Sequence, residues 1–125
     1  MVCIDTNVVI AIIKGNAEVE KVVESYAAGS RLSITSITGY ELLKHQDKLS
    51  RETALEFMSR VKVHGFDMPS AAKAAEIQRV LSTAGKMINE NDVLIAGTAL
   101  ANNETLITRD RKFELIGSER ILVVD

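Results

Sequence analysis

Four carboxylates sit where the chain changes character. Val2-Cys3-Ile4 is an apolar run of strand type that stops on Asp5, and Thr6-Asn7 lead into a second apolar run, Val8 to Ile13. Thr105 to Thr108 is a similar run, followed by Arg109-Asp110-Arg111-Lys112. Glu41 lies one helical turn after Ile37 and directly before Leu42-Leu43, close to the apolar stripe of its segment. Asp92 opens a stretch, Val93 to Leu100, that is apolar nearly all the way round. Each acid has an ordinary explanation by itself. Asp5 can cap a helix, unless Thr6 or Asn7 does so and leaves it free. Glu41 can be a solvated partner of Lys44 or His45, Asp92 a first-turn acid favoured by the helix dipole, and Asp110 a turn residue or cap. Glu90 either shares the task of Asp92 or is solvated.

Taken as a set, the acids have a shared logic if they converge. Two unit charges about 5 Å apart at an effective dielectric near 20 repel by roughly 3 kcal/mol, so a cluster stays ionised only around a cation. Oxygen donors with little His or Cys select Mg²⁺ or Mn²⁺ over Zn²⁺. Sites of that kind act on phosphates, where the ion activates water and steadies an in-line displacement.

Convergence requires a particular scaffold. Residues 6 to about 14 read as a short helix closed by Lys14-Gly15, and 16 to 28 as an amphipathic helix with Val19, Val22, Val23 and Tyr26 on one face. Arg31 to Thr35 reads as a strand, and Ser36 as the cap of a helix running to about His45. Residues 50 to 62 give a further helix, with Ser50 as cap and Ala54, Leu55, Met58 and Val61 as its stripe; 63 to 66 form a weak strand. Pro69 opens a helix that ends near Ala84 before Gly85, and Asn89 or Asn91 caps the last, buried helix through Ala101. Thr105 to Thr108 and Ile121 to Val124 complete the strands. Continuous apolar strands alternating with helices predict a three-layer α/β domain with a parallel sheet. In such a sheet the carboxyl ends of the strands, where Asp5 and Asp110 would emerge, form the ligand-binding edge.

At 125 residues, 46% hydrophobic and 26% charged, the chain reads as a single domain over 1–125 with an aliphatic core. Its net charge of −2 confines any nucleic-acid contact to local basic residues such as Arg109, Arg111 and Lys112. The single Cys3 reads as a small buried hydrophobe and fits a reducing, cytoplasmic setting. No run suits a membrane span or signal peptide. No glycine-rich phosphate loop or nucleophile elbow occurs, and one Cys with two His cannot build a standard structural zinc site.

The quoted motifs have a further property. The Val-Cys-Ile-Asp-Thr-Asn opening, Thr35 to Glu41 as Thr-Ser-Ile-Thr-Gly-Tyr-Glu, Asn91-Asp92-Val93-Leu94-Ile95-Ala96, and Thr108-Arg109-Asp110 before Phe113 together resemble a PIN domain. Size and lack of other domains are similar to the VapC-type toxin ribonucleases of toxin–antitoxin pairs. The resemblance implies a five-stranded parallel sheet of order 3-2-1-4-5, Mg²⁺- or Mn²⁺-dependent RNA cleavage, a homodimer, and inhibition by a small antitoxin; an acidic site should favour an antitoxin that presents Arg or Lys. It assigns Asp5, Glu41, Asp92 and Asp110 to the acidic quartet, with Thr6, Asn7 and Thr108 in support. Lys112 stands where many members carry an acidic or polar residue. Two other readings stay open: a receiver-like signalling domain with Asp67 as phosphoacceptor, and a PIN-like module that binds RNA or a partner without cutting.

Overall fold

β1 (Val2–Ile4) runs through the middle of a five-stranded sheet in a computed structural model that describes residues Met1 to Asp125. Its neighbours are β2 (Leu32–Thr35) and β4 (Thr105–Thr108), with β3 (Lys62–His64) and β5 (Ile121–Val123) at the edges. Every pairing is parallel, and the order is β3-β2-β1-β4-β5, as the resemblance implies. Successive side chains of β1 enter different layers. Val2 and Ile4 pack with α1 (Thr6–Ile13), α2 (Ala17–Ala27), α3 (Ser36–Leu43) and α4 (Lys48–Met58); Cys3 packs with α5 (Met68–Thr83) and α6 (Glu90–Ala101). Burial on both faces is why these strands lack polar alternation.

Two features fix the layers. Gly15, at φ +83°, lets the chain leave α1 and start α2 at once. On the other face, a Cβ at Gly97 would come within 2.7 Å of both the Cβ and the backbone nitrogen of Ala74, so α6 and α5 cross almost in backbone contact. That close crossing presses α6, and Asp92 on its first turn, onto the sheet.

Several boundaries differ from the sequence expectation. Thr35, not Ser36, caps α3 by accepting the Thr38 N–H at 3.2 Å, and the helix ends at Leu43, leaving His45 outside it. Asp47, not Ser50, caps α4; it accepts both the backbone N–H and the hydroxyl of Ser50. β3 spans Lys62–His64 rather than 63–66, and residues Arg111–Ile116 form an unanticipated 3₁₀ turn. Tyr26 and Leu55 are 50% and 54% exposed rather than in their stripes. The buried line of α2 is Val19, Val23 and Ala27. Tyr26 is one residue, about 100° of rotation, off that line, as Leu55 is from Ala54. Cys3 is fully buried, and burial pushes its thiol up to about 12, so it is inert as expected.

Candidate active site

Asp5 lies where β1 becomes α1. Its backbone N–H still belongs to the sheet, donating to the Ile107 carbonyl, while its own carbonyl accepts the first helical N–H groups, from Val8 and Val9. The side chain is buried, accepting the Thr6 N–H at 2.8 Å on Oδ1 and the Thr108 hydroxyl at 2.8 Å on Oδ2. Asp5 is therefore the N-cap itself, and neither Thr6 nor Asn7 takes that place. Capping does not remove it from chemistry, because a carboxylate has about four lone-pair directions and only two are used.

Thr108 closes β4 with a second bond. Its Oγ1, while donating to Asp5, accepts the N–H of Asp110 at 3.0 Å. Asp110 caps the 3₁₀ turn through the Lys112 N–H at 2.9 Å. β1 and β4 are the strands between which the chain order reverses, so Asp5 and Asp110 flank the crevice that ligands use in open α/β sheets.

Glu41 reaches this edge from α3. The Thr6 hydroxyl donates to its Oε1 at 2.6 Å, and the Asn91 amide donates to Oε2 at 3.4 Å. Since Thr6 spends its proton on Glu41, the 3.0 Å contact between the Thr6 and Thr38 hydroxyls has Thr38 as donor. Asn91 ties α6 to the same carboxylate, and Asp92 follows it, half-buried on the first turn of α6. The Asp92 carboxyl is pushed up to about 7, first by burial and then by the charges of Asp5, Asp110 and Glu41, with Lys112 opposing. Burial also raises Asp5; the bonds from Thr108 and Thr6 counter this, and the charges of Glu41 and Asp110 add to it. Acids from four separate elements thus feel one another at one sheet edge.

The donor set suits a hard divalent cation, being carboxylate oxygens without His or Cys. No three His, Cys, Asp or Glu side chains are gathered tightly enough to hold an ion among them. A hard divalent cation keeps several of its waters and takes only one or two carboxylates directly. The raised Asp92 is the strain that such a cation would relieve.

Of the other expected residues, Thr6 and Thr108 make the bonds described, whereas Asn7 is exposed and lines an adjoining groove. Glu90 is exposed at the head of α6. Arg109, Arg111 and Lys112 are exposed around Asp110, with Arg111 paired to Glu114 and Asp125. Thr38 and Asn91 are additions; both lie inside the quoted motifs, one turn before Glu41 and directly before Asp92. Asp67 stands apart from the crevice between β1 and β4: it follows edge strand β3, where it caps α5 by accepting the N–H and hydroxyl of Ser70, bonds that lower its pKa.

Comparison with known proteins points the same way. The PIN domain family model matches residues 2–118. Ribonuclease VapC2 of Rickettsia felis is 31% identical over 115 residues, 87% of this chain and 86% of the relative. The tRNA(fMet)-specific endonuclease VapC of Salmonella typhimurium is 33% identical over 125 residues, covering 94% of this chain and 93% of the relative. Among solved structures, DNA-bound VapBC from Salmonella typhimurium superposes with a TM-score of 0.81 at 30% identity, over 100% of this chain and 98% of the other.

Proposed function

The chain belongs to the PIN domain family, and from that premise we propose that it is a divalent-metal-dependent endoribonuclease, the toxin of a VapC-type toxin–antitoxin pair. The observation that carries the reading is the placement of Asp5, Glu41, Asp92 and Asp110 by four separate elements around one sheet edge, where burial first and their charges second lift Asp92 to about 7. Relatives that are ribonucleases, and similar chains solved as VapBC complexes, supply the substrate class and the antitoxin partner. Mg²⁺ or Mn²⁺ is the metal, a homodimer the assembly and the cytoplasm the compartment; a buried, unpaired Cys3 and the lack of any helix long and apolar enough to cross a membrane are consistent with the last.

Asp5 and Asp92 would hold the ion, with Glu41 and Asp110 at its margin. When bound, the ion supplies the positive charge that steadies the phosphate and acidifies nearby water. Thr6 and Thr108 fix the Asp5 carboxylate, one bond to each oxygen, and Thr6 and Asn91 hold Glu41. A carboxylate oxygen of Glu41 or Asp110 accepts the proton of the attacking water. The new bond joins the water oxygen to phosphorus, the bond to O3′ breaks, and O3′ is protonated from solvent. The products carry 5′-phosphate and 3′-hydroxyl ends.

Asp5→Asn is the decisive variant. Asn preserves shape and an acceptor for Thr6 but puts an NH₂ donor against the Thr108 hydroxyl, so thermal unfolding should stay cooperative with a midpoint lowered by no more than about a few degrees. Cleavage of single-stranded RNA in Mg²⁺ or Mn²⁺ should be lost. Turnover equal to the parent protein in that variant would remove the proposal.

A further inference from the structure

Beside the acidic edge lies a groove of about 670 Å³, within the range of roughly 300–1,000 Å³ typical of small-ligand sites. Two lining residues adjoin the acids in the chain: Asn7 follows Thr6 in the first turn of α1, and Arg109 sits between Thr108 and Asp110. Lys14, the C-cap of α1, lies roughly 10 Å along the axis from Asn7 at 1.5 Å per residue, and Asn16 follows it as the cap of α2. Ile10, Ala11 and Val124 are the apolar lining. Neither Lys14 nor Arg109 is paired with an acid, although surface pairs form elsewhere on the molecule. Asp125, the one acid in the lining, is already joined to Arg111. Asn16 uses its side-chain oxygen to cap α2 through the Val19 N–H, so its NH₂ group is the part left for a ligand.

Two unpaired cations, amide donors and an apolar lining, with Asn7 and Arg109 within two residues of Asp5 and Asp110, match one ligand chemistry. We propose that this groove is the subsite for the nucleotide flanking the scissile phosphate of the RNA strand. Arg109 and Lys14 bind successive backbone phosphates, and the sugar lies over Ile10 and Val124. The inference rests on the ribonuclease reading above. It also carries a consequence for selectivity. The lining has no aromatic side chain on which a base could stack. The subsite therefore holds backbone, and base preference at this position is weak.

The test uses the full chain and a fluorescein-labelled, mixed-sequence single-stranded RNA, with binding followed by anisotropy in EDTA and cleavage followed in Mg²⁺. Lys14→Ala and Arg109→Ala should each weaken binding several-fold, alike for different sequences, and flatten the plot of log affinity against log salt by roughly 0.7 per cation removed. Arg120→Ala, an exposed cation at the amino end of β5 on the opposite sheet edge, serves as control and should leave both unchanged. Wild-type protein that binds and cuts RNA while both groove variants match its affinity and salt slope overturns the subsite alone. Wild-type protein that neither binds nor cuts RNA overturns the ribonuclease reading, and the subsite with it. Groove variants that keep RNA affinity but escape inhibition by the antitoxin would make the groove a protein interface, which also overturns the proposal.

Discussion

Asp92 ties chemistry to stability at the level of one side chain. Its ordinary value of 3.8 is raised to about 7 by burial and by Asp5, Asp110 and Glu41, so the folded chain holds a proton that the unfolded chain releases. The stabilisation is complete below about pH 4 and is lost as pH rises through about 7; Asp5 shifts in the same direction. Because Asp92 is only half-buried, solvent screening reduces its share to roughly 1–2 kcal/mol. In EDTA, the melting temperature should therefore fall by a few degrees between about pH 5 and pH 8. Asp92→Asn should flatten that slope. Mg²⁺ or Mn²⁺ should restore stability, and more at the higher pH, where more charge awaits neutralisation. A melting curve indifferent to both pH and metal would show that the acids do not share a field.

Among the elements, the strongest polar tie is one the sequence does not announce. Glu104, in the turn before β4, is buried with Ser33 of β2 and His64 of β3. One carboxylate oxygen accepts the Ser33 hydroxyl and the other is bonded to Nε2 of His64. Nothing in the neighbourhood of Glu104 in the chain marks it, because its partners are tens of positions away and only the strand order brings them together. Glu104→Ala should leave His64 Nε2 without its partner and Ser33 with only its 3.4 Å contact to the Val2 carbonyl, and cost roughly 1–3 kcal/mol, read as a lowered denaturation midpoint. A loss under about 1 kcal/mol would mean that water replaces the carboxylate there. The strands themselves were legible, because runs such as Thr105 to Thr108 are too short and too uniformly apolar for another role. So was the position of Asp5 and Asp110, which end strands that must reach one sheet edge. Caps were less so. Thr35 and Ser36 are both capping types in succession, and only backbone geometry decides which one stays outside the helix. Thr38 and Asn91 escaped because a hydroxyl or amide gains its role from the carboxylate it meets in space.

For the molecule as a whole, the acidic crevice sets a competition. A divalent ion and a protein cation satisfy the same need, since either offsets the burial of Asp92 and neutralises the carboxylates that add to its raised pKa. An antitoxin that inhibits by presenting Arg or Lys to Asp5, Glu41, Asp92 and Asp110 would thus take the electrostatic place of the metal. Linkage makes the effect reciprocal: the antitoxin weakens metal binding by the factor through which metal weakens the antitoxin. Titrating the antitoxin against RNA cleavage at rising Mg²⁺, at constant ionic strength, should give an inhibition constant that climbs with the ion. Replacing the inserted cation with Gln should abolish that dependence and weaken inhibition by at least tenfold, on the order of 1.4 kcal/mol or more. Inhibition that is independent of Mg²⁺, or that survives intact in the charge-neutral antitoxin, would mean that the partner blocks the RNA path without entering the acidic edge.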